Sequence, residues 1–178
     1  IPRIRLDDDD ELDLARLLAA CEEADGSAEL PLDKSLNHNQ ELPSFFLAKD
    51  ADDPDSGLLG ILSVFSPLAA EAEITSFVRP DLRGTGIFLR LLTAAEEALA
   101  QGGCQDELFV CESGQDAGAA TVIRLGARKD FTEFSLSHPA TPEARAILEA
   151  AVAGAPGLLV RQAAETDLFT ILKVMARY

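Results

Sequence analysis

The stretch Arg83-Gly84-Thr85-Gly86-Ile87-Phe88 joins a strand-like run to an amphipathic helical pattern. At a helix start, backbone N–H groups lack intrahelical partners and carry partial positive charge, so such a turn attracts phosphate. Glycines at positions 84 and 86 let a diphosphate approach the main chain unblocked by any Cβ. Arg83 is expected to add a charged donor. Position 89 is Leu rather than the third Gly of a dinucleotide-binding G-x-G-x-x-G, and the Gly-Lys-Ser/Thr of a P-loop is absent. On spacing alone, a glycine-containing turn that merely enters a helix explains the residues equally well.

Carboxylates are the second group with chemical potential. Strand alternation over Glu71–Val78 puts Glu71, Glu73, Thr75 and Phe77 on one side. Glu73 is the first candidate general base and Glu112, at the end of the next strand, the second. Glu133 is the third. A base of this kind contributes ~10²–10⁴-fold in rate. The alternative for Glu73 is a solvated glutamate on a strand face. His38 reads as a surface histidine. With His38 and His138 the only histidines, and no close spacing to Cys21, Cys104 or Cys111, no metal site is expected.

These residues need a scaffold, and hydrophobic periodicity supplies one. Arg3–Leu6 reads as a short strand. Leu14, Leu17, Leu18 and Cys21 mark a helix, capped and electrostatically complemented by Asp7–Asp10. Residues 25–43, with Pro31 and Pro43, read as a loop or a broken helix. Ser44–Lys49 and Leu58–Phe65 form a hairpin across an acidic turn, and Glu71–Val78 follows the break at Ser66-Pro67. A helix is expected from Gly84 to Gln101, closed by Gly102-Gly103. Glu107–Cys111 is the next strand, Gln115–Leu125 a short helix and Ala127–Ser137 a further strand. Thr141-Pro142-Glu143 opens a helix through Ala153. Cys21 and Cys111 both read as buried thiols. The order describes a mixed α/β domain around a sheet.

The 178-residue chain is 47% apolar, which suits a globular fold, and its formal charge is −16. That charge repels nucleic-acid phosphates and anionic membranes; it either attracts a cationic substrate such as a protonated amine or simply keeps the protein soluble. No apolar run reaches the ~18 residues of a membrane span, and no secretory signal is evident. Cytoplasm is the expected location. Asp13-Leu14-Ala15-Arg16-Leu17-Leu18 recurs in form as Asp167-Leu168-Phe169-Thr170-Ile171-Leu172. Either two ordinary amphipathic helices share a pattern, or a second, similar domain begins near residue 157. The expected division is a domain over 1–140, a helix and linker over 141–156, and a strand-helix segment over 157–178.

The chain resembles the GNAT superfamily of N-acetyltransferases over residues 3–137. Its cofactor motif, Gln/Arg-x-x-Gly-x-Gly/Ala, is met at Arg83 and Gly86, with Phe88 in the last place. Leu59-Gly60, Ile74–Val78 leading to Pro80, and Ile123-Arg124-Leu125-Gly126-Ala127 resemble the family as well. The resemblance implies a mostly antiparallel sheet with splayed middle strands, flanked by helices. It implies acetyl-CoA as cofactor, its diphosphate held by main-chain amides of residues 83–88 and its pantetheine arm paired with Phe77 and Val78. The implied activity is acetyl transfer to the primary amine of a small molecule or peptide, with the Val78 N–H polarising the carbonyl. Beyond that amine, at most a second copy of the chain is expected as partner. Two positions depart from the family. Phe88 replaces a small residue, which is tolerable if its ring turns into the helix–sheet core. Val122 stands where many members carry a thiolate-protonating tyrosine; the chain's only tyrosine is Tyr178. Protonation would then fall to water, Ser113, Cys111 or the substrate. A catalytically degenerate module that binds acyl-CoA or serves structurally in a tandem protein is the alternative. So is an unrelated α/β binding domain whose turn is coincidental.

Overall fold

Strands in which successive side chains alternate between two buried faces build the sheet. The computed structural model describes residues 1–112, 116–133, 141–153 and 161–175. Strands β1 (Pro2–Arg3), β2 (Phe45–Lys49), β3 (Leu58–Leu68), β4 (Glu71–Val78) and β5 (Asp106–Phe109) lie side by side in chain order. The first four are antiparallel neighbours. β5 runs parallel to β4, which requires a crossover, and helix α2 (Ile87–Gly102) provides it.

Each face of the sheet carries one helix. On one side, Leu14, Leu17 and Cys21 of α1 (Asp8–Asp25) pack on Phe45, Leu47, Ile61 and Phe77. On the other, Leu91, Leu92, Ala95 and Leu99 of α2 pack on Phe46, Leu62, Val64, Ala72 and Ile74. Each such side chain contributes about 1.5–3 kcal/mol when fully buried. Asp7 caps α1 by accepting from the Asp10 N–H at 2.8 Å. Asp10 itself is buried and receives Arg3 Nε at 3.0 Å and Lys49 Nζ at 3.2 Å. One aspartate of the run therefore caps the helix, while another ties it to β1 and β2.

Several boundaries differ from the sequence expectation, each for a local reason. The first strand ends at Arg3, where the chain turns toward α1. β3 continues through Ser66-Pro67 to Leu68 with an irregular register after Phe65, since proline lacks the N–H a regular ladder needs. α2 begins at Ile87, because Gly84 and Gly86 both adopt positive φ. β5 stops at Phe109, so Cys111 is exposed rather than buried, whereas Cys21 is buried as expected. A helix α3 (Asp116–Arg124) follows. Residues 127–133 form no strand; the remainder of that expected strand, with Ser113, Tyr178 and the strand before Arg161, lies outside the described residues.

The chain divides into two units, Ile1–Lys129 and Asp130–Tyr178. The second contains α4 (Pro142–Ala153), entered through Thr141, whose hydroxyl accepts from the Ala144 N–H at 3.3 Å. It also contains α5 (Leu168–Met175). Arg161 grips Asp167 through two bonds of 2.7 and 2.8 Å just before α5. Among the described residues, no helix is long and apolar enough to cross a membrane.

Candidate functional site

Pairing between β4 and β5 runs from Glu71 opposite Asp106 to Ile74 opposite Phe109 and then stops. Its last bond goes from Val110 N–H to Ile74 C=O, at 2.9 Å. Beyond it β4 continues alone on that edge, still paired on its other edge with β3 as far as Val78 opposite Gly60. β5 ends there, at Phe109, which leaves the edge of β4 beside Thr75–Val78 open, a slot above the joined base of the two strands.

Alternation decides which peptide groups face the slot. Ile74 faces β5 and Arg79 N–H bonds Leu59 C=O of β3, so the even-numbered residues between them point into the slot. Ser76 and Val78 therefore present main-chain groups to it. Phe77, expected to share that role with Val78, instead directs its backbone toward Ile61 of β3 and buries its ring against α1. Ser76 is not singled out by the sequence, because the period-two rule selects it only once the strand on each edge of β4 is known. The Val78 carbonyl already accepts from Cys21 Sγ at 3.6 Å and Arg83 Nε at 3.3 Å, which leaves its N–H for the slot.

β4 leads through a short turn at Pro80–Leu82 to the glycine turn. Gly84 has φ +78° and Gly86 φ +90°, and a Cβ on either would meet nothing within 4 Å. The turn is thus left-handed for its own shape and open above its backbone. Among the described residues, the N–H groups of Gly84, Gly86, Ile87, Phe88 and Leu89 have no acceptor; the first helical bond is Arg90 N–H to Gly86 C=O at 3.2 Å. Thr85 is exposed, and its hydroxyl donates to Leu82 C=O at 2.6 Å. Phe88 packs against the α2–sheet core, the orientation its bulk required. Gly60 of β3 admits the start of α2: a Cβ there would lie 3.0 Å from Ile87 Cγ2 and 3.1 Å from the Phe77 carbonyl oxygen.

Arg83, expected as a charged donor to the cofactor, is paired within the protein. Its guanidinium is held by both oxygens of Asp25, at 2.8 and 2.6 Å. That hydrogen-bonded pairing raises the arginine's pKa and lowers the aspartate's. The side chain ties the glycine turn to the end of α1. Two residues on, Ser27 Oγ donates to Glu112 beyond β5. The end of α1 thus touches both lips of the slot, and Glu112, a candidate base, is engaged by that serine.

Glu73 is exposed on the face of the sheet that carries α1, across from Phe65 of β3. The 26–43 loop covers this face. Asn37 anchors it, donating to Ser44 Oγ at 3.0 Å and accepting from Ser66 N–H at 2.9 Å. Lys34, three residues earlier, holds its ammonium 5.6 Å from the ring centres of both Phe45 and Phe65. Burial lowers its pKa to about 8, with the charges of Glu73 and Asp33 acting in the opposite direction. Nothing in the sequence singled out Lys34, because the aromatic seat comes from two strands and the lysine from a loop. Glu133 is exposed in the second unit. Val122 lies on α3, half-buried.

The solved structures similar to this chain share its fold. A GCN5-related N-acetyltransferase from Sphaerobacter thermophilus superposes with TM-score 0.50 at 19% identity, covering 68% of this chain and 41% of that one. The chain therefore spans less than half the length of that relative. A transcriptional regulator from Bacillus halodurans C-125 superposes with TM-score 0.54 at 16% identity, covering 75% and 97%. An aminoglycoside acetyltransferase from an uncultured soil metagenomic sample, in complex with trehalose, gives 0.51 at 19% identity, covering 76% and 94%. No curated protein matches the chain. The family model of the GNAT acetyltransferases matches residues 12–126, a stretch that contains the slot, the glycine turn and α3. By its sequence over that stretch, and with a sheet and helices of the same fold, the chain belongs to the GNAT acetyltransferase family.

Proposed function

We propose that this chain moves an acetyl group from acetyl-CoA to a primary amine of a small molecule or peptide. The observation that carries the reading is the succession, along one stretch of chain, of the open β4 edge at Ser76 and Val78 and the unpaired N–H groups of Gly84, Gly86, Ile87, Phe88 and Leu89. Acetyl-CoA, when bound, supplies an acetyl group activated as a thioester. The chain's residues do the rest. The open amides of Gly84, Gly86, Ile87 and Phe88 hold the diphosphate, while Arg83 and Thr85 keep the turn in shape. Ser76 and Val78 hold the pantetheine arm along β4, and the Val78 N–H orients and polarises the reacting carbonyl. Fixing both reactants in line is worth up to ~7–11 kcal/mol. Glu73, directly or through one water, takes the proton from the amine. With valine at position 122, the thiolate is protonated by water or by the exposed Cys111.

The same valine favours a second reading, a module that binds acyl-CoA without turning it over. Thermal shift with CoA and acetyl-CoA, followed by thiol release across an amine panel, separates the two. Ligand at 100 times Kd stabilises the fold by about 2.7 kcal/mol. Stabilisation with turnover supports transfer, stabilisation alone supports the module, and no stabilisation sinks both. Gly86→Glu is expected to abolish the stabilisation, since it places a carboxylate on the phosphate path; a retained shift moves the site elsewhere.

A further inference from the structure

The face of the sheet beside Glu73 carries a cation whose arrangement sets it apart from those around it. Arg3 and Lys49 are committed to Asp10, with Lys49 also on Asp13, and Arg83 is committed to Asp25. Lys34 makes no ion pair or hydrogen bond to any described residue through its ammonium; its neighbours there are the rings of Phe45 and Phe65. Its position is not that of a wandering surface lysine. Asn37 pins the loop to Ser44, just before β2, and to Ser66 of β3, which holds Lys34 over the sheet.

The register locates this ammonium relative to the slot. Phe65 is cross-strand partner to Glu73, and Phe45 pairs with Ser63, which pairs with Thr75. Across the sheet Lys34 thus sits one to two strand spacings, about 5–10 Å, from β4, level with Glu73 and Thr75 at the foot of the slot. The carboxylates of Glu73 and Asp33 act on this half-buried ammonium through space, but no described carboxylate is in contact with it, so the place of a directly bonded anion is open. The ammonium stands on a protein of formal charge −16, whose field draws in amines and repels free anions. An acceptor that carries both charges satisfies both conditions.

We propose that Lys34 receives the carboxylate of the acceptor, so that the preferred substrates are amino acids whose amine lies about 5–10 Å from an acid group. The amine then reaches past Glu73 to the slot while the carboxylate completes the pair at Lys34. The phenylalanine rings shield that pair from water and strengthen it. This assignment rests on the proposed transferase reading for the place of the amine, but not for the place of the carboxylate.

The test compares γ-aminobutyrate with γ-aminobutyramide, which differ in the acid alone. Calorimetric titration is run on the full chain by itself and on the chain saturated with CoA, for the native protein, Lys34→Met and Lys34→Arg. The native protein is expected to bind the acid at least about tenfold more tightly than the amide. Lys34→Met brings that ratio to about one, and Lys34→Arg restores most of it by keeping the charge. Equal binding of acid and amide to the native protein, binding of neither, or a preference that survives Lys34→Met overturns the assignment. Failure of CoA to bind sinks the transferase reading separately, and the acid-to-amide ratio is then decided on the chain alone.

Discussion

Lys34 also has a consequence for stability that is independent of any ligand. Seated between Phe45 and Phe65, it titrates at about 8 in the folded chain against 10.5 for an ordinary lysine. Below pH 8 both states carry the proton, and folding bears the whole cost of drying a charge. Between those two values the unfolded chain holds the proton and the folded chain does not, so stability rises with pH across that window. The ammonium remains partly in contact with solvent, which reduces the cost to roughly 1 kcal/mol. Lys34→Met is therefore expected to be more stable than the native protein at pH 7 by about that amount, with the gap closing above pH 10. Urea unfolding at a series of pH values measures it, and a gap independent of pH refutes the assigned environment. Such an effect was not legible in the sequence, where Lys34 is one polar residue in a loop. Glu73 was legible, because a period of two assigns its side of the strand without any tertiary information. The same rule separates Ser76 and Val78 from Phe77, but only once the partner on each edge of β4 is known.

At the scale of elements, the glycine turn works only if α2 approaches the sheet closely at its start. Gly60 permits that approach, its missing Cβ leaving room for Ile87 and the Phe77 carbonyl. Gly60→Ala forces contacts of 3.0 and 3.1 Å, and overpacking of this kind typically costs about 1–3 kcal/mol. Since the strain falls where α2 begins, the variant is expected to weaken CoA binding as well as lower the melting temperature. A melting shift with unchanged CoA affinity would show that the turn does not depend on this packing. Helices α1 to α4 could be read from their apolar stripes, caps and glycine stops, because those signals are local. The less legible features were strand ends. β3 passes through Ser66-Pro67 and β5 stops at Phe109, outcomes set by neighbouring strands rather than by the residues themselves. The role of Arg83 was hidden for the same reason: its partner Asp25 lies 58 positions away.

For the molecule as a whole, the sheet is joined at the base of β4 and β5 and parted above it. Helix α1 packs on one face and α2 on the other. That arrangement separates two approaches to one slot, with the glycine turn at the start of α2 and the Glu73–Lys34 face on the side of α1. The central claim is that bare main-chain amides at the slot and the turn hold acetyl-CoA. Amide NMR shifts of the full chain titrated with CoA test it most directly. Large, saturable changes are expected at Ser76, Val78, Gly84, Gly86, Ile87 and Phe88, with smaller ones on the Lys34 loop. Saturable binding that leaves those amides unmoved, or no binding at millimolar CoA, would contradict it.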